Sequence, residues 1–263
     1  VSKGILVYAF NNEAIHYVKQ ARDLAIRAEK YLGLPTTIIT DTPINENVFD
    51  NVIVETLDAY TAKQYNNGTT NNSMLSFKNT KRSSSFELSP YDETLILDSD
   101  VIICDDTFRH CFDQSEDLLM YRDAYHIAQN RDYREFDKIS DTSIDFYWAT
   151  CVFFRKTKPN KTFFDLVEHV KDNYPHYRMS YQILSQTFRN DFAFSIAAHI
   201  MNDHSRADFV APMPGTLFYT SDRDIVCGIK DDTLEFVCED GAPYKTQGMT
   251  IHAMNKFSLE ELL

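Results

Sequence analysis

Residues 4–10 (GILVYAF) form a short apolar run that ends in Asn11-Asn12, and from Glu13 the pattern changes period. Ala14, Ile15, Val18, Ala21, Leu24, Ala25, Ala28, Tyr31 and Leu32 recur at three- and four-residue spacing, and Gly33 follows. The first run reads as a buried strand. The second is the apolar face of an amphipathic helix with a glycine at its C-terminus. Pro35 to Thr40 (PTTIIT) returns to strand character and stops at Asp41. Strand, helix and strand in such close succession form a crossover unit, which implies a parallel sheet. The expected fold is therefore α/β: a mixed, mostly parallel central sheet flanked by helices.

The rest of the chain extends this pattern. Val52–Glu55, Thr94–Leu97, Phe146–Phe154 and Met249–Met254 read as further strands, and Phe163–Val170 and Arg189–Met201 as helices. Asp224–Ile229 and Thr233–Cys238 read as a hairpin turning at Lys230-Asp231-Asp232. Asn190-Asp191 opens its helix and suits an N-cap. The polar stretch Tyr65–Ser73 (YNNGTTNNS) reads as a mobile loop. No repeat, linker or composition break divides the chain, so residues 1–263 are expected to form a single Rossmann-like domain.

Composition narrows the chemistry. The 7 glycines are too few and too scattered for a GxGxxG or GxxxxGK[ST] phosphate loop. Acids outnumber bases, 39 to 26, for a net charge of −13. A phosphate ligand would need another source of positive charge, and carboxylates holding a cation provide one. No apolar run approaches ~18 residues, so no membrane span is expected. Val1–Phe10 has one Lys and an apolar run too short for a signal-peptide core, which points to a cytoplasmic protein. The five cysteines contain no CxxC pair. Cys104, Cys151, Cys227 and Cys238 lie in apolar runs and read as small core residues.

The segment Leu95-Ile96-Leu97-Asp98-Ser99-Asp100-Val101-Ile102-Ile103 carries the strongest chemical signal. Alternate residues of a strand face the same way, so Asp98 and Asp100 can point together beyond the strand's carboxyl end. Ligands of open α/β sheets bind there. Two carboxylates on one side suit a hard divalent cation such as Mn²⁺ or Mg²⁺. His252, amid Met249, Ile251 and Met254, reads either as a core histidine or as a third ligand. Lys78 and Arg82 read as surface cations or as counter-charges to an anionic ligand, and Asp191 as a helix cap or as a site carboxylate.

The apolar–DSD–apolar element, about a hundred residues after a βαβ start, resembles the DXD motif of GT-A glycosyltransferases. Lys78–Asp100 (KNTKRSSSFELSPYDETLILDSD) is similar to the corresponding stretch of the family-8-like branch, and Ile251-His252-Ala253-Met254-Asn255-Lys256 is similar to that branch's terminal His and Lys element. The resemblance implies a GT-A fold, with a nucleotide-binding half over about 1–105 and an acceptor-binding half over about 106–263. It implies Asp98, Asp100 and His252 as ligands of Mn²⁺ (or Mg²⁺), and Asp191 beside the donor sugar, with Asp100 and Asp191 in catalytic roles. Donor contacts are implied at Phe10, Asn11, Asn12, Asp41, Lys78, Arg82, Ser99 and Lys256. The expected reaction moves a hexose from a nucleotide sugar, UDP-glucose or UDP-galactose first, to a hydroxyl of a glycan, protein or small molecule. The Lys-Pro-Trp ending of that branch is missing, and its Asp-Gln-Asp element appears only as Asn190-Asp191-Phe192, so the stereochemical outcome is left open.

Three other readings use the same residues. A hydroxylated base in DNA is an alternative acceptor, for which Arg122, Tyr125, Arg131, Tyr133, Arg134 and Phe136 offer stacking groups, against the negative net charge. A phosphatase of the haloacid dehalogenase type also carries DxD after an apolar strand, normally the first strand. A nucleotide-sugar-binding protein without turnover would keep the same shape.

Overall fold

The computed structural model describes residues 1–56, 61–68, 72–128, 137–140, 143–204 and 209–263. Arg131, Tyr133, Arg134 and Phe136 lie outside the described residues. The opening unit forms as expected, with β1 (Lys3–Tyr8), α1 (Tyr17–Arg27) and β2 (Thr36–Thr40). The helix starts later than its apolar spacing suggests. Asn12 Oδ1 accepts the backbone N–H groups of Ala14 and Ile15, and Asn11 Oδ1 accepts that of Val18. These local side-chain bonds compete with the helical ladder and hold residues 13–16 outside it. Past Arg27 the helix widens into a π-helical turn, Ala28–Leu32, and stops at Gly33, whose φ of 62° is left-handed.

The next elements are β3 (Asn51–Val54), β4 (Thr61–Asn66), β5 (Asn72–Phe77), α2 (Ser85–Leu88), β6 (Glu93–Asp98) and β7 (Val101–Ile102). The expected loop at Tyr65–Ser73 is instead the end of a hairpin. β4 and β5 pair antiparallel, with Tyr65 opposite Ser73 and Asn66 opposite Asn72. Neither strand has a fully apolar face, so the apolar/polar alternation that marks a strand is missing. Residues 69–71 of the expected loop lie outside the described residues.

Beyond Cys104 come β8 (Leu118–Tyr121), β9 (Ala124–His126), β10 (Trp148–Arg155), α3 (Lys158–Asp172), α4 (Tyr174–Ser180), α5 (Asn190–Met201), β11 (Ala211–Pro212) and β12 (Leu217–Thr220). The chain continues through β13 (Ile225–Lys230), β14 (Thr233–Val237), β15 (Pro243–Gln247), β16 (Ile251–Ala253) and α6 (Lys256–Leu262). Among these, β8, β9, α4, β11, β12, β15 and α6 are additions to the sequence reading.

The main sheet has seven strands in the order β11-β8-β10-β6-β1-β2-β3. Every strand except β10 runs the same way. It is a mixed, mostly parallel sheet flanked by helices, as the opening unit implies, and residues from both halves of the chain share it. Its centre is fully apolar: Ile5, Leu6 and Val7 of β1 pack beside Leu95, Ile96 and Leu97 of β6. An aromatic cluster joins the helices to β10, with Phe154 and Phe164 edge-to-face at 4.8 Å and Phe163 and Phe194 at 5.7 Å. No helix among the described residues is long and apolar enough to cross a membrane.

A second sheet of four strands, β7-β16-β12-β9, continues from the end of β6. Its register sets Val101 opposite His252, His252 opposite Tyr219, and Tyr219 opposite His126. Three further strands, β13-β14-β15, form a small sheet over a separate core that includes Val226, Leu234, Phe236 and Leu259. Cys227 faces solvent there, contrary to the core assignment from sequence. The two-residue period of β13 buries Val226 and turns Cys227 outward.

Gly4 shows how tightly β1 is packed. A Cβ at this position would lie 2.3 Å from the Tyr91 ring, whose hydroxyl is hydrogen-bonded to Thr37 at 2.8 Å. Gly4→Ala is therefore expected to destabilise the chain by about 1–3 kcal/mol. Urea unfolding checks this: the midpoint should fall at unchanged slope, and an unchanged midpoint would mean that the ring yields without cost.

Candidate active site at the DSD turn

β6 ends at Asp98, beside Tyr8 of β1, so the carboxylate emerges at the carboxyl edge of the parallel strands. A turn through Ser99 and Asp100 leads into β7, which pairs with β16 and brings His252 alongside. The Ala253 N–H donates to the Asp100 carbonyl at 3.0 Å, which fixes that approach. His252 Nε2 lies 3.3 Å from Asp100 Oδ2 and 4.0 Å from Asp98 Oδ2. One ligand atom from each of these residues falls within 4.8 Å of the other two. Two carboxylate oxygens and one imidazole nitrogen at this spacing fit a divalent cation of the Mn²⁺ or Mg²⁺ kind.

Cations already brace the acids. The Arg82 guanidinium, almost fully buried, donates to Asp98 Oδ1 and to the Ala149 carbonyl. The Lys256 ammonium, at the start of α6, donates to Asp100 Oδ2. Burial disfavours the Asp100 charge, but Lys256 and His252 outweigh it and hold the carboxyl far below the usual range. The acid therefore stays ionised at neutral pH.

These groups form the floor of a cavity of about 780 Å³, within the ~300–1,000 Å³ usual for ligand pockets. Phe10, Lys78, Arg82, Ser99, Asp191 and Lys256, expected from sequence, also line it. Asn11, Asn12 and Asp41 stand behind the wall, where Lys78 Nζ donates to the Asn11 carbonyl at 2.7 Å and to Asp41 Oδ2 at 2.9 Å. Asn12 Nδ2 donates to the Ser76 carbonyl at 3.1 Å, tying β5 to the turn after β1. The Ser99 hydroxyl is directed at Gln20 Oε1, 3.4 Å away.

Asp191 is not a helix cap. The cap of α5 is Arg189, and no side chain bonds there. Asp191 Oδ1 instead accepts the Ala149 N–H at 2.9 Å, and Oδ2 pairs with Arg189 at 2.9 Å. Burial penalises its charge, but Arg189 and the Ala149 N–H overcome this and lower its pKa. An ionised carboxylate thus faces the same cavity as the DSD turn.

Sequence reasoning misses two features. The first is the pair His126–Asp224, 2.7 Å apart, on the same sheet row as His252 but two strands away, about 10 Å at the usual strand spacing. Asp224 also accepts the N–H groups of Ser221 and Glu239, and His126 Nδ1 accepts that of Ala128, so both groups are engaged as a brace. Cys238 lies close enough to complete a metal-sized group, but burial pushes its thiol up to about 12, so it stays neutral. Nothing in the sequence links these three distant residues.

The second is Lys63 on β4. Its partly buried ammonium lies 5.6 Å from the centre of the Tyr65 ring and 5.2 Å from that of Phe77, on the cavity wall. Burial, then the positive charges of Lys256 and Arg189, lower its pKa to about 8. No carboxylate pairs with it among the described residues. A lysine in the polar run TAKQYN gives no signal of this placement.

No protein-family model and no curated protein sequence matches the chain. Solved structures are similar to it in shape. One is the galactosyltransferase LgtC in complex with donor and acceptor sugar analogs, with a TM-score of 0.49 and 12% identity over 80% of this chain and 72% of that chain. Another is the glycosyltransferase GlyE of Streptococcus pneumoniae TIGR4, with a TM-score of 0.44 and 12% identity over 81% of this chain and 45% of that chain.

Proposed function

We propose that the chain is a divalent-metal-dependent glycosyltransferase that moves a hexose from a UDP-hexose donor to an acceptor hydroxyl. One observation carries this reading: Asp98, Asp100 and His252 meet at the carboxyl edge of β6, on the floor of a cavity large enough for a nucleotide sugar. Asp98, Asp100 and His252 would hold a hard divalent cation through two carboxylate oxygens and one imidazole nitrogen. A cation held there supplies positive charge to the departing diphosphate.

The chain's own residues do the rest. Arg82 holds Asp98 in place and neutralises half of the acidic pair. Lys256, resting on Asp100, is free to exchange that carboxylate for a phosphate oxygen when the donor enters. Asp191 offers a fixed negative charge to the electron-poor anomeric carbon as the glycosidic bond breaks. Trp148, stacked on Tyr219 with ring centres 6.1 Å apart, gives the cavity a flat apolar wall of the kind that sugar faces pack against.

A panel of nucleotide sugars tests the proposal. With Mn²⁺ present, UDP should be released from UDP-glucose or UDP-galactose, lost on adding EDTA and restored by excess Mn²⁺. Release of inorganic phosphate from phosphoesters, with every nucleotide sugar left intact, would instead favour the phosphatase reading and end this one.

A further inference from the structure

We propose that Lys63, contributed by the β4–β5 hairpin, binds the diphosphate of the donor. This deepens the glycosyltransferase reading and rests on it. The argument is a balance of charges. Asp98 is paired with Arg82, Asp100 with Lys256, and Asp191 with Arg189. Each of these cavity acids therefore has its own cation, and Lys63 is in excess. Two aromatic faces cover its ammonium and return part of the hydration it loses. They supply no counter-charge.

A cation partly removed from water is costly without an anion, and this one also feels Lys256 and Arg189. Asp191 and Asp100 oppose that effect only in part, because each is already neutralised by a closer partner. Lys63 thus stands close to these three neutralised acids without an acid of its own among the described residues. An entering anion removes the penalty.

The donor brings that anion. Its diphosphate bears more negative charge than the acidic floor tolerates, and Asp98 and Asp100 would repel it without added cations. Lys63 reaches it from the hairpin and Lys256 from α6, so two chain segments far apart in sequence close on one group. As the glycosidic C–O bond breaks, its electron pair passes to the diphosphate oxygen, where the ammonium stabilises the charge without giving up a proton. The lowered proton affinity of free Lys63 agrees with this role, since an anion beside it would restore the charged form.

Calorimetric titration with UDP and with UMP, in Mg²⁺, tests the assignment on the wild-type chain, Lys63→Met and Lys63→Arg. Lys63→Met should weaken UDP about 10- to 100-fold, the effect of one charge-assisted hydrogen bond. UMP should weaken far less, and Lys63→Arg should retain most of the UDP affinity. Wild-type binding of UDP near pH 8–9 should take up protons, seen as a dependence of the heat on buffer ionisation, and Lys63→Met should lose this uptake. Circular dichroism and thermal melting confirm that each variant is folded. Unchanged UDP affinity in folded Lys63→Met, or equal losses for UDP and UMP, would each overturn the role of Lys63. A wild-type chain that binds no UDP would overturn the glycosyltransferase reading, and Lys63's role with it.

Discussion

Asp100→Asn is expected to lower metal-dependent turnover of the sugar nucleotide by at least about 10- to 100-fold, the loss usual when even an outer partner of a metal ligand is removed. Asp100 is only 2% exposed and accepts from Lys256 while lying 3.3 Å from His252 Nε2. The amide keeps the shape of the side chain but loses its charge. It removes one of two anionic oxygens from the cation site, and it leaves Lys256 beside a neutral group. The Mn²⁺ concentration needed for half-maximal rate should therefore rise together with the fall in kcat. Steady-state kinetics at several Mn²⁺ concentrations, with thermal melting as a control for folding, read both effects. A variant with wild-type rate and Mn²⁺ requirement would show that Asp100 holds no cation.

Arg82→Met should give the largest loss of stability. The guanidinium is nine-tenths or more buried and satisfies Asp98 Oδ1 and the Ala149 carbonyl. Breaking a buried ion pair from one side typically costs about 3–5 kcal/mol, because the partner keeps its charge. The Asp98 side chain is 25% exposed, and water repays part of that, so the lower end applies. For a chain of this size a loss of about 3 kcal/mol lowers the melting temperature by roughly 6–12 °C. The double variant with Asp98→Asn should recover part of the loss, since no carboxylate is then stranded. Melting temperatures of the single and double variants decide the matter; an unchanged Arg82→Met midpoint would show that the pair contributes nothing to folding.

How legible each part was follows from its physics. β1, α1 and β2 are buried, and burial enforces a hydrophobic period, so the sheet can be read directly from the residues. The DSD turn is visible because two acids interrupt an apolar run, which a packed core would not tolerate without a purpose. His252 lies on a buried strand as expected, but its meeting with Asp98 and Asp100 depends on the pairing of β16 with β7, and register is a long-range property. Lys63 was invisible for a related reason. Its hairpin is exposed and polar, so no period marks it, and its turn chemistry reads as a loop. The helix α6 is short and begins where Asn255 accepts the Ser258 N–H, a local cap that leaves little room for a repeating apolar face. Asp191 had two sequence readings, and the geometry removes only one of them. Its carboxylate bonds to β10 rather than to its own helix.

The ion pair between Lys256 and Asp100 joins positions 156 residues apart. During synthesis the first strands and the DSD turn leave the ribosome well before β16 and α6, and domains fold as their segments emerge. The main sheet can therefore start to assemble while the cation site lacks its histidine and its lysine. The nucleotide affinity proposed above would in this sense arise only once both regions are folded together. A ligand that bridges both regions also selects finished molecules from partly folded ones, because whatever binds the native state alone stabilises it by mass action.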